Sequence, residues 1–145
     1  MEKMTVSQLS IFLENSNGTF LRVLDVLKEA NISLIATTIA DTSDYGICRI
    51  ICDYPMKAVE ILRQAGLAVA VTDVFALSLE NRPGAAVDVL KIFQDGGQNL
   101  PYLYSFIARD RFIMVCRTEN LEQSGEIIRN EGIRFLTDED LPLFS

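Results

Sequence analysis

Two short loops of this 145-residue chain carry residue types that could bind a carboxylate. They span residues 15–18 (Asn-Ser-Asn-Gly) and 81–84 (Asn-Arg-Pro-Gly), and each precedes a segment with the apolar spacing of a helix. Unpaired N–H groups and the positive end of the helix dipole attract an anion at such a place, and glycine lets a ligand approach the backbone. Asparagine and serine also cap helices, and Pro-Gly also makes turns, so one such loop alone favours a cap over a site.

The residue types that usually carry catalysis are scarce. The chain has no histidine, so the imidazole that activates most serine and cysteine nucleophiles is missing. Cys48, Cys52 and Cys116 lie in apolar stretches without a CxxC spacing, which predicts reduced core thiols. We therefore expect no catalytic residue, no metal site and no cofactor.

Charge and hydropathy limit the classes of partner. The chain has 13 Lys and Arg against 20 Asp and Glu, and a net charge of -7 repels nucleic acid and anionic lipid. No apolar run approaches the roughly 20 residues that span a bilayer, and the first residues lead into a strand pattern instead of a signal peptide. We expect a cytoplasmic protein that binds neither nucleic acid nor membrane.

The elements that position the two loops are themselves repeated. Leu13-Glu14-Asn15 with Gly18 recurs 66 residues later at 79–84, between an alternating strand pattern and a helical one. Further on, pairing Asn31-Ile32 with Asn99-Leu100 indicates a shift of 68 and a longer turn in the second copy. Each copy continues with a hairpin, a second helix that ends at a glycine, and a short last strand.

Each copy thus predicts β-α-β-β-α-β, the ferredoxin-like unit with both helices on one face of an antiparallel sheet. The predicted fold class is α+β with this unit twice, side by side, in domains 1–72 and 73–145. Each copy is marginal in size alone, so the halves are expected to pack together. Thr72-Asp73 is interpreted as the break between them, and residues 137–140 as a solvated terminus.

The loops and helix exits resemble the ACT domain family. Its pattern is a strand ending in Asn, a Pro-Gly turn, an amphipathic helix, and Gly-x-Asn-Ile before the second strand. The second copy has the full turn, although Leu100 replaces Ile; the first has Asn17 for the proline and no glycine before Asn31. Residues 40–46 are also similar to a turn of small stand-alone tandem ACT proteins of bacteria. The resemblance extends from Leu9 to Leu136.

The resemblance implies that a free amino acid binds between paired domains, held by the strand-to-helix loop of one and the second-strand start of the other. It sets Asn15 and Gly18 opposite Asn99, and Asn81 and Gly84 opposite Asn31. Side-chain oxygens would accept from the ammonium, and Tyr102 would add specificity. The expected ligand-binding residues are Asn15, Ser16, Asn17, Gly18, Thr19, Asn31, Ile32, Asp41, Ser43, Asp44, Asn81, Pro83, Gly84, Asn99, Leu100 and Tyr102.

Three classes of function stay open. The first is a non-catalytic amino-acid sensor or regulatory module that acts on a partner metabolic enzyme. The second is a ligand-free assembly module that oligomerises or binds a partner enzyme. The third is an acylphosphatase-like hydrolase, which would need an arginine in the first loop, whereas Arg82 lies in the second. We expect the first class, as a homodimer, since sheet edges need covering.

Overall fold

The computed structural model describes residues 3–14, 18–41 and 45–144, with the backbone alone at Asp41 and Tyr45. The order β-α-β-β-α-β occurs twice, which confirms the predicted fold class. The first copy contains β1 (Val6–Glu14), α1 (Thr19–Glu29), β2 (Leu34–Asp41), β3 (Tyr45–Cys52) and α2 (Pro55–Gln64). Then follow β4 (Val69–Glu80), α3 (Ala85–Asp95), β5 (Tyr102–Ala108), β6 (Arg111–Arg117), α4 (Leu121–Asn130), β7 (Arg134–Phe135) and a 3-10 helix (Asp138–Phe144).

The described residues form two compact units. The first contains Ser7–Thr72 together with residues 138–144, and the second contains Asp73–Thr137 together with residues 3–6. Residues 3–6, which begin the first copy, therefore pack in the unit of the second copy. Residues 138–144, which end the second copy, pack in the unit of the first. None of the described helices is long and apolar enough to cross a bilayer.

Each unit is an antiparallel sheet with a core on its helix-covered face. In the first unit β3 pairs with β2 and β1, and in the second β6 pairs with β5 and β4 while β7 pairs with β4. Alternate strand residues point toward the helices, as a half-buried sheet requires. The first core contains Leu9, Ile11, Leu13, Val23, Leu27, Cys48, Ile50 and Leu62, and the second contains Phe75, Leu77, Leu79, Val89, Phe93, Met114, Cys116 and Ile128.

All four helices end in the same backbone motif. The residues Asn31, Gly66, Gly97 and Gly132 have positive φ values of 58°, 84°, 71° and 67°. In each case the residue's N–H donates to the carbonyl three positions back, and the next N–H donates five positions back, as in a Schellman cap. Asn31 thus corresponds to Gly97 and not to Asn99.

The strands have the same 66-residue spacing as the helix ends. Thr37 pairs with Ile50 in the first hairpin, and Leu103 pairs with Cys116 in the second. The interpretation of a 68-residue shift was therefore wrong for the strand register. That interpretation aligned the two Asn-apolar pairs by residue type alone. The left-handed backbone at the helix ends and the strand register instead determine which residues of the two copies correspond. The second turn is nevertheless the longer one, because residues 30–33 join α1 to β2 and residues 96–101 join α3 to β5.

The predicted break at Thr72-Asp73 does not interrupt the strand, although the two compact units divide between these two residues. β4 is one strand of 12 residues that runs through both residues from the first copy into the second. Residues 67–80 contain neither glycine nor proline, and two polar residues in a valine-rich run do not interrupt extended backbone.

The acidic segment at 137–140 is not a solvated terminus. Asp138 is half-buried and accepts from the Ser7 N–H at 2.6 Å and from the Ser7 hydroxyl at 2.7 Å. Three residues later Leu141 is 1% exposed. The acidic run therefore begins a helix that packs in the first unit, because Ser7 satisfies the carboxylate and Leu141 is buried.

Candidate functional site

The second strand-to-helix loop turns through Gly84 with φ 85°, a conformation that side chains rarely adopt. Ala85 N–H donates to the Arg82 carbonyl at 3.3 Å, and Asp88 N–H donates to the Gly84 carbonyl at 3.1 Å. Gly84 supplies no side chain to cap α3, and no side-chain cap hydrogen bond occurs there among the described residues. The first-turn N–H groups that follow Ala85 therefore stay available to an acceptor from outside.

Arg82 is held beside this helix start. Its guanidinium donates to Asp88 Oδ2 at 2.7 Å, to Glu80 Oε2 at 3.3 Å and to the Pro83 carbonyl at 3.2 Å. The hydrogen bond to Asp88, followed by the charge of that carboxylate, raises the pKa of Arg82 further above its usual range. The loop thus presents a permanent cation at the positive end of α3.

A cavity of about 220 Å³ opens at the same point. Its walls offer the guanidinium and the first turn of α3 together with apolar side chains, a combination that suits a small ligand with one carboxylate and a short apolar part. Arg82 and Phe112 were missing from the predicted ligand residues. Their signals were an arginine inside the loop and an aromatic residue at the second position of β6. The lining residues are Arg82, Gly84, Ala85, Ala86, Val87 and Phe112.

The first loop has the same backbone at its end. Gly18 has φ 89°, α1 begins at Thr19, and Arg22 N–H donates to the Gly18 carbonyl at 2.9 Å. No side-chain cap of α1 occurs within residues 3–14, 18–41 and 45–144. The turn geometry is therefore duplicated along with the sequence. The predicted residues Asn15, Ser16 and Asn17 lie outside the described residues.

The other predicted residues lie in several environments. Asn81 and Pro83 are exposed beside the α3 cavity, and Gly84 lines it. Asn31 is exposed at the end of α1, whereas Ile32 is buried in the first core.

Around the second strand of the second copy, Asn99 donates to Glu119 Oε1 at 3.4 Å on the surface. Leu100 packs against the second core, and Tyr102 begins β5 half-buried. Asp41 ends β2, and its side chain, like Ser43 and Asp44, lies outside the described residues.

The cysteines are free and buried, as predicted. Burial raises the pKa of Cys116 to about 12, and burial followed by the charge of Asp53 raises the pKa of Cys52 to about 12. Burial also raises the pKa of Cys48, which contacts the Thr37 hydroxyl at 3.5 Å. These thiols stay protonated near neutral pH, so they are poor nucleophiles.

Comparison with known proteins gives a family and a similar solved structure. A family model described as an ACT domain pair matches residues 4–144. Protein BT0572 from Bacteroides thetaiotaomicron is 38% identical, with 95% of this chain and 96% of that chain covered and a TM-score of 0.90. No curated protein matches the chain.

More distant structures share the fold. The ligand-free regulatory subunit of aspartate kinase from Thermus thermophilus is 13% identical, with 88% of this chain and 93% of that chain covered and a TM-score of 0.59. The corresponding subunit from Thermus flavus is 14% identical, with the same coverage and a TM-score of 0.55. From the match to the family model and the duplicated βαββαβ fold, the chain belongs to the ACT domain pair family.

Proposed function

We propose that this chain is a non-catalytic regulatory module that binds a free amino acid at its strand-to-helix loops. The observation that carries the proposal is the turn repeated at Gly18 and Gly84, which starts a helix without a side-chain cap in the described residues. The cavity beside Gly84 supports it further. Domains 1–72 and 73–145 would each contribute one such loop.

The chemistry of an amino acid fits the second loop. Its carboxylate would accept from first-turn N–H groups of α3 next to the Arg82 guanidinium, and its ammonium would lie near Glu80 or Asp88. A short side chain would contact Phe112. We keep the ligand residues expected from the sequence and add Arg82 and Phe112.

A regulatory role is proposed because little in the chain suits catalysis and the fold is shared with a regulatory subunit. The three thiols stay protonated and the chain lacks histidine. The distant likeness to the aspartate kinase subunit supports only the analogy that such a pair can act on a metabolic enzyme. We propose a partner metabolic enzyme as target and the cytoplasm as compartment.

The second candidate function is a ligand-free assembly module, and the edge strand β5 favours it. No residue of β5 is charged, and Leu103 and Ile107 are 43% and 64% exposed. Natural edge strands usually carry charges or bulges that prevent pairing, and this strand has no such charge. A homodimer that covers β5 is compatible with either candidate.

The first experiment is a thermal-shift screen of the whole chain against the twenty amino acids, with calorimetry on any hit. A ligand at about 100 times its Kd adds about 2.7 kcal/mol of stability, which raises Tm by several degrees in a protein of this size. A flat screen, with a dimer that persists, would favour the assembly module instead.

Gly18→Ala and Gly66→Ala form a matched pair for locating the ligand. Both glycines have positive φ, and an added Cβ has nothing within 4 Å at either position, so the two variants carry similar backbone strain. We expect Gly18→Ala to weaken amino-acid binding at least tenfold and Gly66→Ala to leave it unchanged. An equal Kd for the amino acid in both variants would argue against a ligand site at the first loop.

Arg82→Gln tests the second loop, with Lys91→Gln on the exposed surface of α3 as the charge-matched control. Loss of a charged hydrogen bond predicts at least tenfold weaker binding for Arg82→Gln alone. An unchanged Kd in Arg82→Gln would remove Arg82 from the proposed site.

A further inference from the structure

A second cavity, of about 230 Å³, lies where β4 ends. We call it the β4-end cavity. Its walls come from β4, α3, the start of β6 and the segment that leads into β7. The charged residues that line it are the guanidinium groups of Arg82, Arg111 and Arg134 and the carboxylates of Glu80 and Asp88.

The two carboxylates are already engaged by one arginine. Arg82 makes ion pairs with Glu80 at 3.3 Å and with Asp88 at 2.7 Å. Arg111 and Arg134 make no ion pair within the described residues. The lining therefore carries three guanidinium groups and two carboxylates, a net charge of +1, in a chain whose net charge is -7.

Arg111 is held in place by neutral acceptors. Its Nε donates to the Ser78 hydroxyl at 3.0 Å, and its terminal nitrogen donates to the Ser78 carbonyl at 2.8 Å. Glu80 is its cross-strand neighbour but bonds to Arg82 instead. The half-buried Arg111 guanidinium is thus oriented without losing its charge, and it keeps N–H donors for a ligand.

Strand register brings Arg134 to the same face of the sheet. Arg111 pairs with Glu80 across β4 and β6, and Arg134 pairs with Ser78 across β4 and β7. Directly paired residues share a face, and so do residues two apart on one strand. The two arginines therefore flank β4 from opposite sides on one face.

We propose that the β4-end cavity binds a small anion, whose carboxylate or phosphate group is held by Arg111 and Arg134. The two planar guanidinium groups line one concave site, and their N–H donors match the arrangement of oxygen atoms in a carboxylate or a phosphate. The cavity has room for several water molecules, which a small oxyanion can displace. The β4-end cavity shares Glu80, Arg82 and Asp88 with the proposed amino-acid site, whereas Arg111 and Arg134 belong to the β4-end cavity and to none of the residues proposed to bind the amino acid. The anion site therefore goes beyond the proposed function through these two arginines.

The test is calorimetric titration of the whole chain with inorganic phosphate and, separately, with succinate, against sodium chloride of equal ionic strength. We expect saturable binding of at least one of them. Arg134→Gln should weaken it about tenfold or more, since each charged hydrogen bond contributes about 1.5 kcal/mol or more. Arg111→Gln should do the same. Arg134→Gln guards against instability, because the exposed Arg134 makes no side-chain hydrogen bond or ion pair within the described residues.

Arg117→Gln is the matched control, because Arg117 is an exposed arginine at the opposite end of β6. It should bind like the parent protein. Selectivity for phosphate or for succinate would identify the ligand as a phosphorylated or a carboxylated metabolite. Absence of saturable binding, or an anion Kd in Arg134→Gln and Arg111→Gln equal to that of the parent protein, would overturn the proposal. The amino-acid screen, followed by Arg82→Gln, tests the proposed function separately.

Discussion

At the residue scale, single side chains hold distant parts of the sequence together. Ser7 is 1% exposed, and both its N–H and its hydroxyl donate to Asp138, which lies 131 positions later. When a buried hydrogen-bond donor loses its acceptor, the folded state is destabilised by the full free energy of removing that donor from water. Asp138 therefore matters more to stability than its position in an acidic tail suggests.

We predict that Asp138→Ala lowers the free energy of unfolding by about 2 kcal/mol, because the Ser7 donors are left without their acceptor. Urea denaturation of the whole chain measures the change. Glu139→Ala is the control, because Glu139 is exposed and should shift stability by less than about 0.5 kcal/mol. Equal, small changes in both variants would contradict the assigned role of Asp138.

At the element scale, left-handed backbone or proline lies at the helix boundaries, except that the Asn120 side chain caps the start of α4. Positive-φ glycines begin α1 and α3, proline begins α2, and Asn31 is the one non-glycine residue among the four helix ends. Asparagine tolerates this conformation better than other side chains do. The positive φ at residue 31 thus explains why asparagine is found there, whether or not a ligand binds.

We expect Asn31→Gly to keep the stability within about 0.5 kcal/mol, and Asn31→Val to lose about 1–2 kcal/mol through strain at positive φ. Chemical denaturation compares both with Asn130→Val, an exposed asparagine near the end of α4 that lacks positive φ. A strong loss in Asn31→Gly would show that the side chain, not the backbone, stabilises the helix end. Retained stability with lost amino-acid binding would instead support Asn31 as a ligand residue.

At the scale of the whole molecule, the two sequence copies and the two compact units do not contain the same residues. Strand β4 runs through the boundary between the copies, and each end segment packs within the other copy's unit. Met4 lies near the start of the chain but belongs to the core of the second unit, and Leu141 lies near the end of the chain but is buried in the first unit.

We predict that fragments 1–72 and 73–145, made separately, show no cooperative unfolding transition, since each lacks a packed segment and halves β4. The whole chain should unfold in one transition. Circular dichroism during urea titration gives both results. A fragment that unfolds cooperatively with the stability of the whole chain would contradict this coupling.

The sequence alone determined the features that depend on neighbours along the chain. Apolar periods of two and near 3.6 predicted the strands and helices, since each element buries one face. Gly18 and Gly84 predicted the repeated turn because few residues adopt positive φ. Cys48, Cys52 and Cys116 were predicted as core because they lie in apolar runs.

Tertiary structure decided what depends on residues far apart. Register showed that the paired strands of the two hairpins keep the 66-residue shift from Ala36 onward, and packing gave Asp138 a partner 131 positions away. Arg111 and Arg134 meet at one cavity only because β6 and β7 flank β4 in a particular register. No local pattern contains this information, because hydrogen bonding between strands, and not spacing along the chain, determines which side chains become neighbours.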